Sequence, residues 1–197
     1  MSAFFDVVLS QRACRAFAPD PVPADDVTRM IEAATHAPSA ENSQPWLFSV
    51  VRSTAARAAV DDLTRRIWEG GGRAHAESSV GPRLLAEVDR FFGGDAGGGY
   101  GGAPVLIVVA GDSTAVLSPE LLPSSVYPAI QNLLLAAAAL GYGSAMTTLA
   151  THAAKQLQAA VGLAEHMVPM AVIPIGRPAR TLGPARRKPP SEVTREC

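Results

Sequence analysis

Apolar positions fall along this chain in three kinds of stretch, helix-spaced, strand-like and wholly apolar, separated by proline and glycine breaks. The strongest stretch is residues 127–143, YPAIQNLLLAAAALGYG, where only Gln131 and Asn132 are polar between Ala129 and Leu140. Leu and Ala favour helix, and Gly141 supplies a stop. A surface helix shows a polar stripe every three to four residues, but this one is apolar nearly all round, so it must be covered on several sides. A membrane span needs roughly 20 apolar residues, and glycines end this stretch sooner. The pattern predicts a central helix, under a sheet on one side and against a partner subunit on the other.

The rest of the chain arranges itself around that helix. Residues 4–9 have helix spacing and run on toward Gln11, Arg12, Ala13, Cys14 and Arg15. The segment Phe17-Ala-Pro-Asp-Pro-Val-Pro then forbids helix, because prolines remove donors and push their predecessors toward extended geometry. Asp25 and Asp26 open a second helix, with Val27, Met30, Ile31 and Ala34 on its buried face and a stop before Pro38. Residues 37–46 read as a polar loop of turn formers. A strand follows over 47–51, then a helix over 55–67 with Val60, Leu63 and Ile67 inward, broken at the glycines 70–72.

The middle, residues 69–102, looks least structured. A helix fits 84–92, and GGDAGGGYGG over 93–102 reads as an irregular surface loop or a lid over a pocket. Residues 103–110, APVLIVVA, form a buried-type strand. Residues 113–125 are expected as a loop, 144–149 as a strand or extended turn, and 155–161 as a helix ending at Gly162. Another apolar strand spans 167–175, where Pro169 and Pro174 suit a sheet edge or strand ends. From Gly176 onward the chain is an extended tail of basic residues and prolines, which either hangs loose or wraps another surface.

Composition narrows the function classes. With 197 residues the chain suits one domain with a proper core. A net charge of -1 with 18% charged residues argues against general attraction to nucleic acid or membranes. Cys14 and Cys197 make no disulfide framework, and nothing near the start reads as a secretory leader, so a reduced cytoplasmic protein is expected.

Three clusters carry candidate chemistry. Arg12 and Arg15, three apart at a helix end before a forced turn, can converge on one anion; guanidinium is well suited to bidentate phosphate contact. The loop Pro38-Ser39-Ala40-Glu41-Asn42-Ser43-Gln44-Pro45-Trp46 packs hydroxyls, amides and backbone donors into a stiff turn, suited to a flat heteroaromatic edge or a sugar-like chain. In the tail, Arg186, Arg187 and Lys188 are either solvated or a second phosphate clamp. The four histidines have no metal-ligand spacing, and Ser39 lacks a nucleophile elbow. Neighbouring arginines would make Cys14 reactive if exposed; a packed, inert thiol is the alternative.

With these clusters in order, the sequence resembles the FMN-dependent nitroreductases. Their opening Arg-Arg-Ser-x-Arg-x-Phe pattern is matched by Gln11-Arg12-Ala13-Cys14-Arg15-Ala16-Phe17. Their Pro-Ser-x-x-Asn-x-Gln-Pro-Trp loop is matched fully by Pro38, Ser39, Asn42, Gln44, Pro45 and Trp46. Ala139 to Gly143 match the end of their long helix, while Ile173 to Pro178 and Arg186 to Pro189 look like their closing strand and basic tail. Residues 70–102 are an unmatched variable insert.

The resemblance implies one domain over 1–197 with an α+β fold: a three-layer α/β/α sandwich around a mostly antiparallel sheet. It also implies an intertwined homodimer, with the central helix in the interface and the tail, 177–197, exchanged between subunits. Two FMN molecules would then lie between subunits. By the same resemblance, Arg12, Ala13 and Arg15 hold the FMN phosphate, and Arg187 with Arg186 reaches it. Pro38, Ser39, Ala40 and Asn42 come from the other subunit to the ribityl chain and ring edges. Met146, Thr147 and Thr148 run along the isoalloxazine, and Ser125 touches the cofactor. Gln11 and Ala13 depart from the pattern and remove one charge and one hydroxyl from the phosphate site; Thr148 stands where better-known nitroreductases have an acidic residue. The implied activity is flavin-mediated transfer from NADH or NADPH to a nitroaromatic, quinone or activated alkene. A flavin-sequestering protein and a flavin-fragmenting or dehalogenating relative are the alternatives.

Overall fold

In a computed structural model, described for residues 3–93 and 98–197, the chain forms an α+β sandwich around a four-stranded antiparallel sheet. The strands are β1 (Trp46–Val51), β2 (Val105–Asp112), β3 (Gly143–Ser144) and β4 (Met167–Gly176), ordered β1-β2-β4-β3. β2 is apolar on both faces because both are covered, the pattern of a strand buried on two sides. Val105, Ile107 and Val109 face one core, while Leu106 and Val108 face the other. β4 follows the same alternation, with Ile173 and Ile175 in the first core and Val172 in the second.

The first core lies under α2 (Ala24–Thr35) and α6 (Leu122–Ala139). α2 buries Val27, Met30 and Ala34, and α6 buries Val126, Ile130, Leu133 and Ala137 among others. Asn132 is explained by its amide, which donates to the Ala33 carbonyl of α2 at 3.2 Å. Tyr142, just after α6, donates its hydroxyl to Asp26 at 2.7 Å and pins the two helices at that end. α6 begins earlier than its apolar run: a 3-10 turn at Pro119–Leu121 leads in, and Pro123 sits in its first turn, where a missing N–H costs nothing. By length and composition alone, residues 119–139 are long and apolar enough to cross a membrane; here the helix packs on the sheet.

α6 is not covered on every side. The remaining side carries α1 (Ala3–Ser10), and between them Phe4, Val7, Leu135, Ala136 and Ala139 line an open apolar groove. α1 stops at Ser10, so Gln11 to Arg15 do not continue it. The chain instead runs extended, with bridges from Ala13 to Ser144 and from Phe17 to Pro178, because the Phe17 ring buries against the second core.

The second core lies under α3 (Thr54–Ile67), α5 (Pro82–Gly93) and α7 (Ala154–Val161). Here the structure corrects the loose reading of residues 69–102. The chain leaves α3 through a π-helical turn, Trp68–Gly72, passes a short α4 (Arg73–Glu77) and enters α5. Trp68, Leu85, Phe91, Phe92 and Tyr100 are all core residues. Phe91 meets Tyr100 edge-on with ring centroids 5.6 Å apart, and the Tyr100 hydroxyl lies 2.6 Å from that of Thr64. Within the expected lid, Tyr100–Gly102 form a 3-10 turn, and the Gly101 carbonyl accepts from the Phe17 amide at 3.0 Å. Residues 94–97 of that expectation lie outside the described residues.

Two more expectations are sharpened. β4 pairs with β2 along its length but with β3 only at Ile175 and Gly176, so its other side is a sheet edge at Pro169. It accommodates Pro169 through a bulge: the register passes from Val109↔Ala171 to Ala110↔Pro169, so Met170 is the extra residue. Of residues 144–149, only Ser144 is in a strand, with Thr147 bridging to Val172. A last helical turn, α8 (Pro190–Val193), interrupts the tail.

Candidate functional site

Two corners of the sheet collect the candidate residues. At the corner of β3 and the end of β4, the Cys14 amide donates to the Ser144 carbonyl at 2.9 Å, which fixes the extended segment 11–15 beside the sheet. Cys14 points inward and is buried, and a Cβ on Gly143 would lie 2.7 Å from its sulfur, so only glycine fits there. Burial pushes the Cys14 thiol up, outweighing the Ala16 backbone hydrogen bond and the nearby arginines that pull it down. The alternative of an inert, packed thiol therefore holds, and a reactive one does not.

Arg12 and Arg15, either side of the buried Cys14, reach different partners. The Arg12 guanidinium donates to the carbonyls of Gly183 and Pro184. Arg15 donates to Glu87 at 3.1 Å, and the other oxygen of that carboxylate accepts from Arg180 at 3.1 Å. Arg180 and Glu87, with Arg83, are shared by two adjoining cavities of about 490 and 620 Å³. Arg15 opens on the first with Arg90, Gly101 and Gly102; Arg12, Ala13 and Arg186 open on the second. Arg187 turns back to the Arg186 carbonyl at 2.8 Å and is exposed. The tail lies on its own chain as far as Pro184, since the Ala179 amide donates to Ala16 at 3.0 Å and Arg12 holds Gly183 and Pro184.

Met146, Thr147 and Thr148 follow β3 directly and share this corner. Thr147 exchanges both backbone bonds with Val172, at 3.1 and 2.8 Å, while Met146 is 47% exposed beside it. The Thr148 carbonyl accepts from the amide and hydroxyl of Thr151.

The diagonally opposite corner, at the start of β1, carries the loop of Pro38, Ser39, Ala40 and Asn42. It is held by its own bonds: the Gln44 amide donates to the Ser39 hydroxyl at 3.1 Å, and the Gln44 side chain donates to Asn42 at 3.3 Å. Glu41, Asn42 and Gln44 are left-handed at φ 54°, 55° and 47°. Ser125 is buried at the head of α6, and its hydroxyl accepts from the Ala40 amide at 3.2 Å; it positions the loop. Pro38, Ala40 and Asn42 are exposed. Among the described residues, the Ser43 hydroxyl is the buried side-chain polar atom left without a partner. Within one chain the cationic corner and this loop are not brought together.

Arg83, Glu87, Arg90 and Arg180 escaped the sequence reading. The first three lie at i, i+4 and i+7 on α5, hence on one face, and their spacing was the only available sign. Chemically, the cationic corner suits phosphate, and the loop offers backbone and side-chain polar groups already fixed in place.

The comparisons with known proteins agree with this architecture. The sequence profile described as "Nitroreductase family" matches residues 8–177. A Methanothermobacter thermautotrophicus protein provisionally named NADH dehydrogenase/NAD(P)H nitroreductase is 27% identical over 180 residues, covering 90% of this chain and 78% of its own. A nitroreductase from Desulfitobacterium hafniense, solved with bound FMN, superposes with a TM-score of 0.78 at 21% identity, covering 100% of this chain and 99% of its own; it shows the shared fold. A provisionally assigned Desulfovibrio desulfuricans nitroreductase in complex with FMN reaches a TM-score of 0.74 at 25% identity, covering 100% of this chain and 97% of its own. With that profile spanning all four strands and most of both cores, the chain belongs to the nitroreductase family of oxidoreductases.

Proposed function

We propose that the protein is an FMN-dependent oxidoreductase that accepts a hydride from NADH or NADPH and reduces a nitroaromatic, quinone or activated alkene. It works as a homodimer in the cytoplasm, with the whole chain, 1–197, as one flavin-binding unit. The observation that carries this reading is the diagonal separation of two half-sites in one chain. A second copy seated on the groove between α1 and α6 would bring the loop of one protomer to the cationic corner of the other. The exposed Phe4, Phe5 and Leu9 beside that groove supply apolar area for such a contact.

The residues present fit FMN. Arg12 and Arg186, with Ala13 between them and the sheet, line a cavity suited to a phosphate monoester. The loop has fixed polar groups, among them the partnerless Ser43 hydroxyl, for the ribityl chain or ring edge. Met146, Thr147 and Thr148 supply one wall, with Thr147 immobilised by β4 and the exposed Met146 adaptable. When bound, FMN supplies the two-electron chemistry, so the chain needs no acid–base residue of its own. The protein contributes position and electrostatics: arginines neutralise the phosphate, the rigid loop orients the ring, and donor and acceptor use one slot in turn, giving ping-pong kinetics.

The test is the visible spectrum of the purified protein, followed by anaerobic addition of NADH and NADPH. Flavin absorbance that bleaches with either nucleotide is expected. A yellow protein that never bleaches would favour sequestration, and a colourless one that takes up no added FMN would overturn the cofactor assignment. Arg12→Ala is expected to weaken FMN retention by about 1.5–3 kcal/mol, the scale of a charge-assisted bond.

A further inference from the structure

Two cavities meet at the cationic corner, and one phosphate fills only one of them. Each is lined by four guanidinium groups against the single carboxylate of Glu87: Arg15, Arg83, Arg90 and Arg180 around the first, Arg12, Arg83, Arg180 and Arg186 around the second. This concentration of charge stands out in a chain whose net charge is -1. Glu87 offsets part of it, giving one oxygen to Arg15 and the other to Arg180. Among the described residues, Arg83, Arg90 and Arg186 make no ion pair.

The second cavity contains Arg12, Ala13 and Arg186, three of the residues assigned above to the FMN phosphate, a group of about two negative charges; Arg15, expected beside them, opens on the first cavity instead. Its neighbour is left with Arg15, Arg83 and Arg90. Arg83 and Arg90 project from one face of α5, Glu87 between them ties that face to Arg15 and Arg180, and Gly101 and Gly102 add no side chain to narrow the space. The wall is therefore an arginine stripe braced by an internal carboxylate, open to solvent.

We infer that this first cavity is a second anion subsite, and that its ligand is the 2′-phosphate of an NADP-type electron donor. The inference rests on the oxidoreductase reading, which supplies the donor. A dianionic phosphate ester on ribose is the feature that separates NADPH from NADH, and arginine is the side chain that accommodates it in nucleotide sites. The protein accordingly prefers NADPH.

Arg90 isolates the test, because it lines the first cavity only, is exposed and makes no ion pair among the described residues. Titration calorimetry with adenosine 2′,5′-bisphosphate and with AMP needs no turnover. At least tenfold tighter binding of the bisphosphate is expected, falling at least fivefold in Arg90→Ala and partly restored in Arg90→Lys. The ratio of kcat/KM for NADPH over NADH should fall in parallel. Equal binding of the two nucleotides by the natural protein would overturn the inference, as would loss of bound flavin from Arg90→Ala, which would make Arg90 part of the FMN phosphate site. If the bisphosphate preference stands but neither nucleotide bleaches the flavin, the subsite survives and the oxidoreductase reading fails.

Discussion

The two faces of the sheet are filled by different means. On one, α2 and α6 lie side by side and present Val27, Met30, Ile130 and Leu133 at helical spacing. On the other, α3, α5 and α7 are linked through irregular turns, and the space is closed by single large rings: Phe17, Trp68, Phe91, Phe92 and Tyr100. The α2–α6 pair spreads its contribution over many aliphatic contacts. The irregular face rests on a few aromatic anchors, each burying a large area and holding an otherwise free stretch of chain. That face also supports the cationic corner, since Gly101 touches the Arg15 segment and α5 carries Glu87.

The sharpest way to break this contrast is a pair of substitutions of similar cost and different reach. Gly101→Ala places a Cβ 2.2 Å from the Arg15 carbonyl oxygen at a backbone φ of 62°. Steric displacement and left-handed strain together are expected to cost about 3–5 kcal/mol. Leu133→Ala, on the buried side of α6, is expected to cost about 2–5 kcal/mol through its cavity. Chemical denaturation should show both losses, but only Gly101→Ala should also reduce flavin retention, because only it displaces the backbone of segment 11–15, which carries Arg12. Equal retention in the two variants would show that the aromatic face does not support the corner.

A smaller effect comes from Tyr100→Phe, expected to cost about 1–2 kcal/mol at neutral pH by leaving the Thr64 hydroxyl short of a partner. Burial pushes the Tyr100 phenol well above its ordinary value of 10.0. Because the raised value belongs to the folded state, the stabilisation is fully present below pH 10 and is lost progressively as pH rises above it. The denaturation midpoint of the natural protein should fall more steeply above pH 10 than that of Tyr100→Phe. The smallest effect is chemical: iodoacetamide at pH 8 should modify the exposed Cys197 in the native protein and spare Cys14 until denaturant is added.

The regular face was legible in the sequence because periodicity is a local property: α2, α6, β2 and β4 all stand close to where their apolar patterns put them. The aromatic face was not, because Tyr100 sits among glycines and Trp68 follows a helix, so neither belongs to a repeating pattern. The bulge at Pro169 went unseen for a related reason, since a bulge leaves no mark in hydrophobic spacing. At the site, the loop and the arginines of segments 11–15 and 186–188 were visible as clusters. Arg83, Glu87 and Arg90 read as an ordinary solvated helix face until folding set Arg15 and Arg180 against them.

The loop at the opposite corner holds three residues with side chains in the left-handed region, Glu41, Asn42 and Gln44. Each such residue costs of order 1 kcal/mol relative to a relaxed backbone. That cost is incurred when the chain folds, and hydrogen bonds donated by Ala40 and Gln44 to Ser125, Ser39 and Asn42 hold the shape afterwards. A ligand arriving at this loop meets a surface that has already given up its conformational freedom, so little entropy remains to be lost on association. The loop behaves as a mould set before casting, whereas Arg83, Arg90 and Arg186 across the sheet, which make no ion pair among the described residues, would have to be gathered by a ligand.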